Sequence, residues 1–124
     1  MAEENRELEL AKRFEQCSKI LTAIGDETRQ HLMVEMMKMG QCTGVRVGAI
    51  TEKTNLSRPA VSHHLQILKD AGILKVRKEG TMNFYYFDSE MNSLECLVET
   101  LQLAIDIAKD LPERRKERNS DLLE

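Results

Sequence analysis

VRVGAITEKTNLSRPAVSHHLQILKDAGILKVRKEGTMNFYYF, residues 45–87, changes its periodicity partway, and that change decides the fold. After a brief extended piece at Val45 to Val47, a short helix starts near Gly48 and ends around Thr54. Asn55 stands where a tight turn often needs a left-handed residue, a conformation asparagine tolerates. Ser57 is placed to cap the next helix, and Pro59 is harmless in its first turn, where a missing N–H costs nothing. Gly72 closes that helix. From Ile73 the period is two: Leu74 and Val76 share one face, Lys75 and Arg77 the other. Glu79-Gly80 marks a turn, and Phe84 to Phe87 makes the return strand. A short helix, a tight turn, a longer helix and a two-stranded ribbon form the layout of a winged helix–turn–helix.

The longer helix can be sorted by face, because each residue advances about 100°. Val61, Leu65, Leu68 and Gly72 fall in a narrow arc that reads as core. Pro59, Ser62, His63, Gln66 and Asp70 fall opposite, with Arg58 on the flank at the helix start. That outward face carries short polar groups and an arginine but no long apolar side chain, which suits a helix laid in the DNA major groove. Lys69, Lys75, Arg77 and Lys78 outnumber Asp70 and Glu79 along the neighbouring hairpin. A charge run alone reads as a solvated face; beside a polar recognition helix it reads as a phosphate-binding edge. The expected DNA contacts are Arg58, Pro59, Ser62, His63 and Gln66 in the major groove. Thr51 and Ser57 are expected near phosphates, and Arg77, Lys78, Gly80, Thr81 and Asn83 along the adjacent minor groove. His63 and His64 are neighbours on a helix and do not face each other, so they cannot chelate one ion. His63 points outward, whereas His64 sits at the edge of the core arc, half-buried with one ring nitrogen bonded.

Outside this stretch the chain reads as helices. Residues 3–24 form one, with Leu10, Phe14, Cys17, Leu21 and Ile24 along one side and Gly25 at its end. Asp26 caps a second, which Gly40 stops. A last helix runs from about Ser89 to Asp110, before Pro112. The fold is therefore mainly α with a small β-hairpin wing, in the order α-α-β-α-α-β-β-α. Residues 1–111 read as one domain and 112–124 as a charged tail, frayed or disordered. The formal net charge of -3 leaves a small basic surface possible. The acidic N-terminus is no secretion signal, and no apolar run is long enough to span a bilayer, so a cytoplasmic protein is expected, nucleoid-associated when bound to DNA. Three widely spaced cysteines make no disulfide framework and no C-x-x-C motif. No nucleophile–base spacing, paired acids or phosphate loop suggests an enzyme, so no catalytic residue and no cofactor are expected.

The quoted stretch resembles the heart of the ArsR/SmtB family of bacterial repressors. The resemblance rests on Leu56-Ser57, Val61-Ser62-His63-His64-Leu65, Leu68-Lys69-Asp70-Ala71-Gly72-Ile73-Leu74, Glu79-Gly80 and Tyr85-Tyr86, with GDETR upstream. It covers roughly residues 20 to 90. It implies a homodimer whose recognition helices read an inverted repeat, and an effector, often a metal ion, that relieves repression. It also implies a dimer built from the first and last helices. In the last helix Met91, Leu94, Leu97, Val98, Leu101, Ala104, Ile105 and Ala108 form one broad stripe, which reads as the domain's own core. A second seam, Cys96, Thr100, Leu103 and Ile107, then needs a twofold-related copy, together with Leu10, Phe14, Cys17 and Leu21 of the first helix.

The pattern departs from metal-sensing relatives at Val45 to Thr51. The two positions where those proteins carry cysteine ligands are Arg46 and Gly48 here, and neither binds a soft metal. Residues 90–111 hold no histidine, so the other common metal site is missing too, and no metal is expected. Two alternatives stay open: a thiol-based redox sensor using Cys17, Cys42 or Cys96, and a winged-helix module that binds protein. Buried cysteine is more often a small apolar residue, and the methionines at 33–39 more often core filler than lining for an organic effector.

Overall fold

The computed structural model describes residues 2–111. The elements in chain order are α1 (Ala2–Gln16), α2 (Ser18–Ile24), α3 (Glu27–Met39), α4 (Val47–Lys53), α5 (Arg58–Asp70), β1 (Leu74–Glu79), β2 (Met82–Phe87) and α6 (Asn92–Lys109). They form a winged helix–turn–helix with α4 and α5 as the helical pair and β1–β2 as the wing. Over the described residues the chain divides into two compact units, one over 17–97 and the other made of 2–16 and 98–111. The tail expected at 112–124 lies outside the described residues. Among the described residues no helix is long and apolar enough to cross a membrane.

The single first helix expected over 3–24 is two. Cys17 interrupts it with φ -93° and ψ 5°, and α2 restarts at Ser18. Neither glycine nor proline announces the break, and the apolar spacing runs through it unchanged. Asp26 caps α3, its carboxylate accepting from the Arg29 N–H at 3.0 Å, and Gly40 ends the helix in the left-handed region.

The left-handed turn expected at Asn55 does not form. Thr54 is extended at φ -129°, and its hydroxyl donates to the Ile50 carbonyl at 3.3 Å, closing α4 without such a residue. Among the described non-glycine residues, positive φ occurs only at Met91, at 54°, just before α6. That turn delays α6 to Asn92 rather than Ser89.

In the Cys17–Leu97 unit the core gathers Leu32, Ile50, Val61, Leu65, Leu68, Ile73 and Leu74 around α5. β1 and β2 are antiparallel, from Leu74 opposite Phe87 to Glu79 opposite Met82. Gly80 then comes first in a two-residue turn, with φ 60°, as a type II′ hairpin requires. Val45 adds a bridge on the outer edge of β2, exchanging backbone bonds with Tyr85 at 2.8 and 2.9 Å. Gly44 makes that approach possible: a β-carbon there would stand 2.8 Å from Phe84 Cβ.

In the other unit α1 and the later turns of α6 run antiparallel, since Arg6 pairs with Asp110 at 2.9 Å and Arg13 with Glu99 at 3.6 Å. The stripe of α6 expected to be core is so only at its start, where Leu97 is buried and Leu94 packs against the core of the Cys17–Leu97 unit. Thr100 is wholly buried and Leu103 and Ile107 half-buried, whereas Val98, Leu101 and Ile105 are 64%, 44% and 46% exposed. Cys17 is also wholly buried, and Leu21 and Cys96 pack against the core of their unit. Cys17 and Thr100 are thus covered within the single chain. Of the residues expected at a dimer contact, Phe14 is the exposed one, and Leu10 is half-buried.

Candidate nucleic-acid interface

Ser57 starts α5: its hydroxyl accepts from the Ala60 N–H at 3.3 Å, which leaves its own proton to donate outward. With the cap fixed, Val61, Leu65 and Leu68 turn fully inward, and Pro59, Ser62, His63, Gln66 and Asp70 stand in solvent. Gln66 donates to the Asp70 carboxylate at 3.0 Å, so those two present a joined polar patch one turn apart.

Arg58 leaves the start of α5 towards the start of α4. A β-carbon at Gly48 would stand 3.9 Å from the Arg58 guanidinium, so this glycine forms the floor beneath it. Arg46, Val47, Arg58, Ser62, Thr81, Met82 and Asn83 line one cleft between α5 and the hairpin. The cleft thus unites four expected contact residues of the recognition helix and wing, Arg58, Ser62, Thr81 and Asn83, with Arg46, which in the sequence stood only where a metal ligand was missing. Among the described residues no ion pair involves Arg46, Arg58 or Lys78.

Two expected contacts are committed elsewhere. Arg77 bonds Glu79 and the Thr43 carbonyl, the latter at 3.1 Å, and its guanidinium lies 4.5 Å over the Phe84 ring. It braces the wing rather than projecting a charge from it. The Thr51 hydroxyl donates to the Val47 carbonyl at 2.8 Å, within α4. Lys75, part of the basic count, pairs with Asp88 at 3.6 Å. Lys78, Gly80, Thr81 and Asn83 remain exposed along the outer end of the hairpin.

The histidines separate as their positions on the helix require. Their ring centroids are 5.7 Å apart and tilted by 58°. His63 is exposed, whereas His64 is half-buried with Nδ1 3.2 Å from Arg29 Nη1. Among the described residues no group of three or more His, Cys, Asp or Glu is close enough to hold a metal ion.

Arg29 is the positioning residue that the sequence reading missed. It is 8% exposed, and its Nε and Nη2 donate to the Ala23 and Thr22 carbonyls at 2.7 and 3.0 Å. One guanidinium thus closes the carbonyl end of α2 and touches the inner side of α5. A signal existed: Arg29 lies on the same arc of α3 as buried Leu32 and Met36, and an arginine there must be paired. The Arg29 N–H also holds the Asp26 carboxyl below the ordinary carboxylate range, against a smaller opposing effect of desolvation.

The family of bacterial regulatory proteins called the arsR family matches residues 26–76. An uncharacterized HTH-type transcriptional regulator of Methanocaldococcus jannaschii is 38% identical over 91 residues, 73% of this chain and 99% of that protein. The transcriptional repressor SdpR of Bacillus subtilis is 36% identical over 66 residues, 53% of this chain and 69% of that protein. A solved structure from Mycobacterium bovis is similar in fold, with a TM-score of 0.56 at 24% identity over 74% of this chain and 82% of its own. It is described as the homodimeric winged helix–turn–helix DNA-binding domain of a possible ArsR-family transcriptional regulator.

Proposed function

The chain belongs to the arsR family of bacterial regulatory proteins and is a DNA-binding transcriptional regulator, and on that premise we propose that it acts as a homodimeric repressor reading an inverted repeat. In this reading α5 enters the major groove. Arg58, Ser62, His63 and Gln66 meet base edges there, and Pro59 packs beside them. Ser57 donates to a phosphate at the groove edge, and Lys78, Gly80, Thr81 and Asn83 follow the adjacent minor groove. The protein works in the cytoplasm, on the nucleoid.

The observation that carries this reading is the shared cleft, in which two arginines that form no ion pair among the described residues stand between the polar face of α5 and the wing. Guanidinium groups are suited to guanine edges and to phosphates, and a cleft flanked by a helix and a ribbon matches a groove edge. Repressors of this layout place one recognition helix from each copy on half-sites about one helical turn apart. The homodimer of the Mycobacterium bovis relative supports the assembly.

Selection of bound fragments from random duplex DNA by the purified protein tests the proposal. An enriched inverted repeat is expected, with affinity that falls as salt rises. Recovery of unenriched DNA, or binding indifferent to salt, would overturn it.

A further inference from the structure

Cys17 Sγ and Cys96 Sγ stand 3.4 Å apart, 79 residues distant in sequence. Both belong to the Cys17–Leu97 unit, Cys17 at its first residue and Cys96 next to its last. Cys17, which follows α1 in the chain and directly precedes α2, is wholly buried, whereas Cys96 on α6 is half-exposed. The third thiol, Cys42, is exposed in the loop after α3. A covalent S–S bond is about 2.05 Å long, so closure draws these sulfurs together by about 1.4 Å.

We propose that Cys17 and Cys96 are a reversible thiol–disulfide site, closed by a peroxide, whose closure is transmitted to the inner side of the recognition helix. The half-exposed Cys96 thiolate attacks one peroxide oxygen: an S–O bond forms, the O–O bond breaks, and water leaves after taking up a proton. The Cys17 sulfur then attacks the Cys96 sulfenic sulfur. The S–S bond forms, the S–O bond breaks, and the thiol proton leaves with the oxygen as a second water. Two thiols and one hydrogen peroxide become one disulfide and two waters, and a small dithiol reverses the bond by exchange.

The route inward is short. Cys17 directly precedes α2, and the far end of α2 is held through the Thr22 and Ala23 carbonyls by Arg29. The same guanidinium reaches His64 on α5. A shift of α2 that accompanies closure reaches Arg29, whose three partners are then no longer held in one geometry. That closure lowers affinity for duplex DNA rests on the function proposed above.

The full-length protein, treated with hydrogen peroxide and mapped without reduction, tests the site. Expected is a Cys17–Cys96 linked peptide, with thiols titrated per denatured chain falling from three to one and returning with dithiothreitol. Cys42→Ser must keep the link. Oxidation confined to Cys42, or Cys96 advancing to sulfinic acid unlinked, would overturn the proposal. The His64 imidazole signal, followed by NMR, is expected to shift on closure and to stay fixed in peroxide-treated Cys96→Ser. A His64 signal unmoved by closure would overturn the transmission. Duplex affinity is expected to fall about tenfold in the closed state, within the usual range of site-to-site coupling. Failure to bind duplex in either state would instead condemn the DNA reading, while the peptide map and the His64 signal still decide the thiol site.

Discussion

Arg29 Nη1 stands 3.2 Å from His64 Nδ1, tying the first turn of α3 to the inner side of the recognition helix. Arginine offers only donors, so Nδ1 accepts, and the imidazole is held as the tautomer with its proton on Nε2. The outward presentation of His63 therefore depends on a guanidinium one layer beneath it. That guanidinium in turn satisfies the carbonyl end of α2.

Arg29→Met removes three donors and strands the Thr22 and Ala23 carbonyls. A loss of ~2–4 kcal/mol in urea unfolding is expected. Arg29→Lys recovers little, because an ammonium cannot span three acceptors held in a planar fork. Stability within ~0.5 kcal/mol of the wild type in the methionine variant would show that the clamp is not structural.

The pH dependence of stability follows from Asp26. Its folded pKa lies below the unfolded value, chiefly because the Arg29 N–H donates to the carboxylate. The charged form is thus favoured by folding. Its contribution is complete above the ordinary carboxylate range and is lost as pH falls through that range to the folded pKa. Asp26→Asn keeps a capping oxygen but not the charge. Thermal melts should show the wild-type Tm falling more steeply than the variant below about pH 4. Parallel curves would remove Asp26 from the acid response.

Arg58→Ala should weaken binding to the selected operator by ~1–3 kcal/mol and binding to random duplex far less. Gly48 beneath the guanidinium leaves it close to the groove without a competing carboxylate. Equal losses on both duplexes would assign Arg58 to phosphate contact instead.

Lys78 and Arg77 are adjacent in β1 and should behave differently. Lys78→Ala removes an exposed charge from the outer wing, and the slope of log affinity against log salt should flatten by about one unit. Arg77→Ala should leave that slope nearly unchanged and lower Tm, because Arg77 is spent on Glu79, the Thr43 carbonyl and Phe84. The reverse pattern would mean that Arg77 swings outward on DNA.

How legible the sequence was depends on what each residue's neighbours reveal. The faces of α5 could be read because Ser57 fixes the helix start and the polar and apolar residues separate cleanly around it. The break at Cys17 was hidden because one residue leaving helical geometry preserves the apolar spacing on both sides. The bracing of Arg77 was hidden because position 77 of a wing reads as basic surface, while its carboxylate partner and the Thr43 carbonyl come together only in the folded hairpin. On α6 both stripes are apolar, and periodicity cannot say which is covered. The stripe richer in valine, leucine and isoleucine reads as core throughout, yet beyond Leu97 its large side chains are exposed and Thr100 of the other stripe is buried.

That reversal moves the expected self-contact to Val98, Leu101 and Ile105, with Leu8 and Phe14 also exposed on α1. Val98, Leu101 and Ile105 follow a 3-4 spacing that puts them on one side of α6, an exposed apolar strip that a second copy would cover, as the proposed homodimer requires. Leu101→Glu puts a charge at its centre and should raise the dimer dissociation constant by about 30-fold or more, the effect of losing ~2 kcal/mol at an interface centre. Sedimentation equilibrium reads this directly. Leu103→Ala, on the covered seam, should instead lower Tm while the dimer mass persists. If Leu101→Glu stays dimeric and Leu103→Ala dissociates, the contact lies on the seam that the sequence first indicated.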